Sequence, residues 1–228
     1  MSTLPQVEAE PGQTGLVVRT LAERVFEIMR ERIVTGRIPT SAPIRQDVLA
    51  AELGISKIPL REALARLEQE GLIVSMPNRG YFVRAMSADE ADEIFALRLV
   101  IEPAAAAAGC LAATEPHQAA AREAFEALDR AAADNLGEVA ARNRAFHTSL
   151  VRPAGRMLTT NLVERLEILS ERYVIAHLQP AGREDRAHLE HKALLDAWLS
   201  RDGKLTESLL TAHIEGTLKD LRQQLAAR

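Results

Sequence analysis

The sequence has a single cysteine and few aromatic residues. Of its 228 residues, one is Cys and one is Trp, and the aromatic residues make up 4%. The lone Cys110 excludes an intramolecular disulfide framework and a cysteine-rich zinc site. A chain of this length can bury enough apolar surface to fold without such cross-links, so one or two ordinary domains are expected.

Long uncharged apolar runs and an export signal are also missing from the sequence. The longest apolar stretch, residues 103–113, is mostly Ala and shorter than the roughly 18 residues that a membrane span needs. Residues 1–15 lack both the basic start and the apolar segment of a signal peptide. These absences predict a cytoplasmic protein with no membrane partner.

No charge of one sign dominates, since the net charge is −4. The charges are nevertheless unevenly distributed. Residues 19–86 carry 11 Lys and Arg against 8 Asp and Glu, whereas residues 87–228 carry 17 basic and 22 acidic side chains. This asymmetry indicates a basic module attached to an acidic one.

The pattern along the chain divides it into three regions. Residues 1–18 are rich in Pro, Gly, Gln and Glu, which predicts a disordered tail. Residues 19–86 have the order helix, helix, turn, helix and β-hairpin, which is that of a winged helix-turn-helix. In this interpretation residues 38–43, with two prolines, form a loop.

The third region, residues 87–228, begins with a predicted capping box in which Ser87 is the N-cap and Glu90 its partner. It has no strand signal, and its breaks delimit about six helices. The predicted fold class is therefore mainly α. It comprises an N-terminal winged helix-turn-helix and a C-terminal all-α antiparallel helical bundle.

Several polar residues lie at the predicted N-terminal end of the third helix, the position of the recognition helix in a DNA-binding helix-turn-helix. Ser56, expected to cap the third helix, is followed by Lys57 and Arg61, and Arg45 begins the preceding helix. Arg79 lies at the predicted tip of the hairpin, or wing. The alternative is that these residues form an ordinary solvated face.

The residues themselves favour DNA binding. Residues 45–64 (RQDVLAAELGISKIPLREAL), 66–72 and 77–83 (PNRGYFV) closely resemble the GntR family of bacterial transcription regulators. Many members carry Arg where this chain has Asp47, so Arg45 is expected to substitute for it. The DNA contacts predicted from position and resemblance are Arg45, Ser56, Lys57, Arg61, Asn78, Arg79 and Gly80.

Histidines are spaced for a site inside the bundle. Asn143 and His147 share one helix face, and His191 and His213 lie on later helices. Imidazoles that project inward from separate helices can converge on a divalent metal. They can equally be hydrogen-bonded core histidines.

Residues 87–228 resemble the FCD effector domain of the FadR branch of GntR regulators. The matching stretches are 97–103, 143–150, 190–197 and 211–214. By position, the resemblance implies that Asn143, His147, His191 and His213 bind a divalent metal such as Zn, Ni, Mn or Fe. The family usually has Asp at position 143, and a neutral amide oxygen is a weaker ligand than a carboxylate.

The resemblance also implies a small carboxylate effector bound beside the metal. Arg98 is the first candidate partner, because a guanidinium matches a carboxylate. Arg172 and Tyr173 are further candidates. Arg98 could instead pair with Glu102 one turn along the helix. His188 matches no ligand position and is interpreted as a surface or outer residue.

These features predict a ligand-responsive bacterial transcriptional regulator, a repressor rather than an enzyme. It would bind a palindromic double-stranded DNA operator as a homodimer. One alternative is a metal-dependent enzyme. The other is an architectural DNA-binding protein whose bundle is purely structural.

Overall fold

The computed structural model describes residues 20–40, 42–134, 136–178, 180 and 182–226. The predicted disordered tail lies outside these described residues.

The first part of the chain folds into three helices and a small antiparallel sheet. Its elements are α1 (Leu21–Val34), β1 (Pro43–Ile44), α2 (Gln46–Leu53), α3 (Lys57–Gln69), β2 (Ile73–Met76) and β3 (Gly80–Val83). The helices α1 and α3 pack together, and their fully buried Met29 and Leu64 belong to one core. This is the predicted winged helix-turn-helix.

The prediction of a loop over residues 38–43 was wrong at its end. Pro43 and Ile44 pair with Phe82 and Tyr81 of β3, which gives the sheet order β1-β3-β2. Proline is tolerated here because an edge strand leaves one side of its backbone unpaired. The partner strand is distant in sequence, so no local pattern could reveal the pairing.

Two of the predicted caps are only partly as expected. Ser56 occupies the N-cap of α3, but its side chain makes no capping hydrogen bond among the described residues. Ser87 accepts a hydrogen bond from the Glu90 backbone N–H at 3.4 Å. The Glu90 carboxylate instead accepts a hydrogen bond from the Tyr173 hydroxyl at 2.8 Å. The second half of the capping box is therefore replaced by a tertiary contact.

The rest of the described chain is helical, as predicted. The helices are α4 (Ala88–Ala112), α5 (Glu115–Asp134), α6 (Leu136–Val151), α7 (Met157–Leu178), α8 (Arg183–Leu199) and α9 (Gly203–Ala226), with a short 3₁₀ turn, Arg152–Ala154, after α6. The central helix α4 contacts α6, α7, α8 and α9. At Gly109 a Cβ atom would lie 2.0 Å from the Leu150 carbonyl oxygen, so α4 and α6 approach closely only because this residue is glycine.

Helix α4 has apolar side chains on its outer face as well as on most of its inner face, where Arg98 and Glu102 are the buried charged residues. In the part of the chain that the structure describes, it alone has the length and hydropathy of a membrane span, yet 56% of that window is buried inside the protein. Its buried residues include Phe95 and Ala106, whereas Leu97, Val100 and Leu111 are exposed. A core helix with a second, uncovered apolar face explains this composition.

Candidate DNA-binding surface and metal-binding pocket

All the residues predicted to contact DNA are exposed. They are Arg45, Ser56, Lys57, Arg61, Asn78, Arg79 and Gly80. Because Ser56 caps α3 without using its hydroxyl, that group is available at the start of the helix. The opposite face of α3 is held in the core by Leu60, Leu64 and Leu67. The helix therefore presents its polar N-terminal end outward.

Two side-chain contacts join the starts of α2 and α3. The Arg61 Nε donates a hydrogen bond to Gln46 Oε1 at 3.3 Å. Lys57 forms an ion pair with Asp47, the residue that departs from the family pattern. An acidic side chain thus partly neutralises one of the predicted DNA-contacting cations.

The wing has a tight turn at its tip. Asn78 and Gly80 both adopt a left-handed conformation, with φ of 59° and 84°. The Arg79 backbone N–H closes the turn on the Met76 carbonyl oxygen at 3.0 Å. Asn and Gly tolerate this conformation better than other residues. The turn leaves the Arg79 side chain exposed at the tip.

Three predicted metal ligands converge inside the bundle. His147 on α6, His191 on α8 and His213 on α9 are buried, and one nitrogen of each lies within 4.8 Å of the others. The two Nε2 atoms of His147 and His191 are 3.3 Å apart. Two imidazole nitrogens at this separation either share a proton or face a common cation.

Acidic groups lie against the outer nitrogens of two of these histidines. His213 Nδ1 is 2.7 Å from Glu190 Oε2. His147 Nδ1 is 3.5 Å from Glu167 Oε1 and 3.7 Å from Glu102 Oε2. Carboxylates in this position orient an imidazole, so that its other nitrogen can bind a metal.

The fourth predicted ligand, Asn143, is buried beside the same cluster. Its Nδ2 donates a hydrogen bond to Glu167 Oε2 at 3.4 Å. An amide oxygen from Asn143 and three neutral imidazoles would form a donor set of the kind that suits Zn, Ni, Mn or Fe.

Arg98 lies in the buried cluster rather than free in the pocket. Its guanidinium donates hydrogen bonds to Glu102, Glu167 and Ser170. The pairing with Glu102 is the alternative that the sequence left open. A guanidinium already surrounded by two carboxyl groups has little capacity left for a carboxylate ligand.

Burial and neighbouring charges together shift the pKa values of the groups in this cluster. Desolvation lowers the pKa of His147 and His213, and it lowers that of His191 well below the usual value. Burial raises the pKa of Glu167 to about 8, against the opposing charge of Arg98. For Glu102 burial is outweighed by Arg98 and His147, so its pKa falls to about 2. The imidazoles are therefore neutral at pH 7, which is the form that binds metals.

A pocket opens above the histidines. Its volume is about 700 Å³ including its open mouth, and Arg98, Asn143, His191 and His213 are among its lining residues. Apolar walls come from residues such as Phe95 and Phe125. A cavity with apolar walls and a few convergent polar groups is typical of a small-molecule site.

Two predicted effector-binding residues lie elsewhere. The Arg172 side chain donates to the Arg84 carbonyl oxygen, and the Tyr173 hydroxyl contacts Ser87 and Glu90. Both residues thus join α7 to the link between the two halves of the chain, and neither lines this pocket. His188 does line it, at the mouth, where its Nδ1 is 2.7 Å from Asp129 Oδ1.

Sequence reasoning missed the acidic residues of the site. Neither Glu167 nor Glu190 was singled out, although Glu190 directly precedes His191. His177, which lines the pocket, was also missed. The helical spacing of Glu167 and Glu171, four residues apart on the inner face of α7, was the available signal.

The two halves of the chain match two family models. Residues 21–83 match the model described as bacterial regulatory proteins, gntR family, and residues 93–216 match the FCD domain. The chain belongs to the GntR family of bacterial regulatory proteins and carries a C-terminal FCD domain.

Particular relatives agree with this family. The chain is 32% identical over 204 residues to a "Probable D-xylose utilization operon transcriptional repressor" from Paenarthrobacter nicotinovorans, covering 87% of this chain and 88% of the relative. It is 30% identical over 218 residues to the HTH-type transcriptional regulator BphR of Paraburkholderia xenovorans, covering 90% and 87%. The solved structure of E. coli McbR/YncC shares the fold, with a TM-score of 0.74 at 21% identity, covering 91% of this chain and 99% of that one.

Proposed function

We propose that this chain is a ligand-responsive transcriptional repressor. It binds a palindromic operator as a homodimer, and a small carboxylic acid held beside a divalent metal controls its DNA affinity. The domains divide near residue 86. The observation that carries the proposal is the convergence of His147, His191 and His213 beside a pocket that His191 and His213 line.

The residues present fit a divalent metal. The three imidazoles are buried and neutral, and they come from three different helices that hold them in place. Asn143 would complete the set. A bound dication would supply a positive charge at the pocket floor, where an anionic ligand could approach it. Glu190 would orient His213 from the outer side.

The chemistry of the pocket favours a carboxylate bound through the metal rather than through Arg98. The Arg98 guanidinium is occupied by Glu102 and Glu167. The pocket walls are largely apolar, which suits the carbon skeleton of a small organic acid. Arg172 and Tyr173 are not part of this proposed ligand site.

A second copy of the chain would cover the outer face of α4. Leu97, Val100 and Leu111 are exposed there, with Val100 77% exposed. Exposed apolar side chains along one face of a helix are typical of an interface. A two-fold dimer would place one α3 helix on each half of a palindromic site.

The named relatives favour regulation over catalysis. Both are named as transcriptional regulators, and the Paenarthrobacter protein is named as a repressor. A function as a metal-dependent enzyme would not explain the exposed polar end of α3. A purely structural role for the bundle would not explain the buried histidines. A cytoplasmic location follows from DNA binding.

The metal content of the purified protein tests the proposed metal centre. Elemental analysis of the purified wild type is expected to find close to one metal ion per chain, and none in His191→Ala. His117→Ala is the matched control, because His117 lies at the start of α5, where it contacts Thr114, and should not alter metal content. No metal in the wild type after incubation with Zn²⁺, Ni²⁺, Mn²⁺ or Fe²⁺ would refute the metal centre.

DNA binding is tested separately. Operator fragments are selected from random duplex DNA with the full-length protein, and their affinity is measured by mobility shift. Arg61→Ala should abolish specific binding, whereas Arg130→Ala, which removes an exposed charge on α5, should not.

The response to an effector is tested on the metal-loaded protein, with citrate, lactate and gluconate as probes. The proposal is supported if one of these acids releases the wild-type protein from the operator but does not release His191→Ala. It is contradicted if Arg61→Ala still binds the operator specifically.

A further inference from the structure

We propose that Glu167 is a positioning residue of the metal centre, which holds Asn143 and His147 so that each presents one ligand atom to the metal. The inference rests on the metal centre of the proposed function. It assigns a role to a residue on α7, a helix that contributes no ligand itself.

The contact with Asn143 determines which amide atom can bind a metal. Asn143 Nδ2 lies 3.4 Å from Glu167 Oε2. A carboxylate oxygen accepts hydrogen bonds, so the NH₂ group and not the carbonyl of the amide must face it. The Asn143 Oδ1 is then the atom left to act as a ligand, and it is the amide atom that a cation prefers.

The contact with His147 selects the ring nitrogen. Its buried Nδ1 lies 3.5 Å from Glu167 Oε1 and makes no hydrogen bond among the described residues. A nitrogen that faces carboxyl oxygens carries the proton, so the lone pair is on Nε2. The Nε2 atom is the one that lies 3.3 Å from His191 Nε2, on the side of the histidine cluster.

A third contact, with Arg98, holds Glu167 itself in place. Glu102 and Glu167 are both fully buried, and both contact Arg98. The Arg98 guanidinium donates a hydrogen bond to Glu167 Oε1, and this contact fixes the carboxyl group that faces Asn143 and His147.

The test measures Zn²⁺ affinity by calorimetry on the full-length protein after chelator treatment. Glu167→Gln is expected to bind Zn²⁺ about 10–100-fold more weakly than the wild type. Glu184→Gln is the matched control, because this exposed carboxyl group lines the same pocket and should leave affinity unchanged. The exchange variant Asn143→Asp/Glu167→Gln should regain affinity, since the carboxylate returns at position 143 and the amide introduced at position 167 can donate to it.

Two results would overturn the inference. One is wild-type Zn²⁺ affinity in folded Glu167→Gln, with folding checked by circular dichroism. The other is an exchange variant that binds no better than Glu167→Gln, which would mean that Glu167 only supports the fold. If Glu167→Gln does not fold, Glu167→Asp replaces it. That variant keeps a carboxyl group near Arg98 and withdraws it by one methylene, and wild-type affinity in it refutes the inference equally.

The same series separates the inference from the proposed function. A wild type that binds Zn²⁺ no better than His191→Ala refutes the metal centre itself. A wild type that binds Zn²⁺ through His191, with unchanged affinity in Glu167→Gln, refutes only the role of Glu167.

Discussion

Arg30 of α1 forms a buried ion pair with Glu171 of α7, across the junction between the winged helix-turn-helix and the bundle. Arg30 is also 3.7 Å from Glu70 at the end of α3, and Glu171 is 3.5 Å from Arg144 on α6. Burial lowers the pKa of Arg30 to about 10, yet the group remains charged at pH 7. Glu171 lies one helical turn from Glu167. The junction thus connects the C-terminal end of α3 with the helices that line the pocket.

Removing one partner of this pair should be more damaging than removing both. Arg30→Met and Glu171→Leu should each lower the free energy of unfolding by about 3 kcal/mol or more, because each leaves a buried charge without its partner. The double variant should lose less than the sum of the two. Urea unfolding of the four proteins measures this coupling. Additive losses would contradict it, and Arg130→Met is the control for a lost surface arginine.

Asp47 should weaken DNA binding by holding Lys57. Asp47→Asn removes the ion pair and frees the ammonium group for phosphate, so affinity for DNA should rise several-fold. The slope of log affinity against log salt should steepen by about one. Mobility shifts at several salt concentrations measure both effects. The same substitution in a Lys57→Ala background should gain much less, and an equal gain there would show that Asp47 acts on DNA directly.

His177 should make the metal-free protein less stable in acid. Burial lowers its pKa to about 4, helped by Arg183 and Arg186. An unfolded chain protonates this histidine near pH 6.5, whereas the folded protein resists protonation, so stability is retained above pH 6.5 and lost as the pH falls toward 4. The loss attributable to His177 is about 1–3 kcal/mol. Urea unfolding of wild type and His177→Asn from pH 7 to pH 4 measures it, and identical pH slopes would exclude this origin.

The outer face of α4 should be needed for dimerisation. Val100→Glu introduces a charge into the proposed interface and is expected to give a monomer with full helical content. Leu189→Glu is the matched control, because Leu189 is similarly exposed, at 67%, on α8. Sedimentation velocity measures the oligomeric state. A Val100→Glu dimer as stable as that of the wild type would show that the interface lies elsewhere.

Local patterns in the sequence specify the helices and their order. The bounds of α2 and α3 were predicted almost to the residue from periodic apolar residues and from the glycines that follow each helix. This was possible because capping and one-sided burial are local properties. The histidine spacing alone left metal ligands and core histidines as equal alternatives, and it was the family resemblance that implied a cluster of His147, His191 and His213 inside the bundle. The family resemblance supplied the residues that are predicted to contact DNA, and the exposed end of α3 carries several of them.

The partner of each polar residue depends instead on how the helices pack. Arg98 faces Glu102 and Glu167 rather than an open pocket, and Tyr173 binds the start of α4. These contacts depend on which helices lie side by side, and sequence spacing does not specify that. For the same reason the sequence did not predict the β1 strand or the Arg30–Glu171 pair. Each joins residues that are far apart in the chain, and only the packing of the core brings them together.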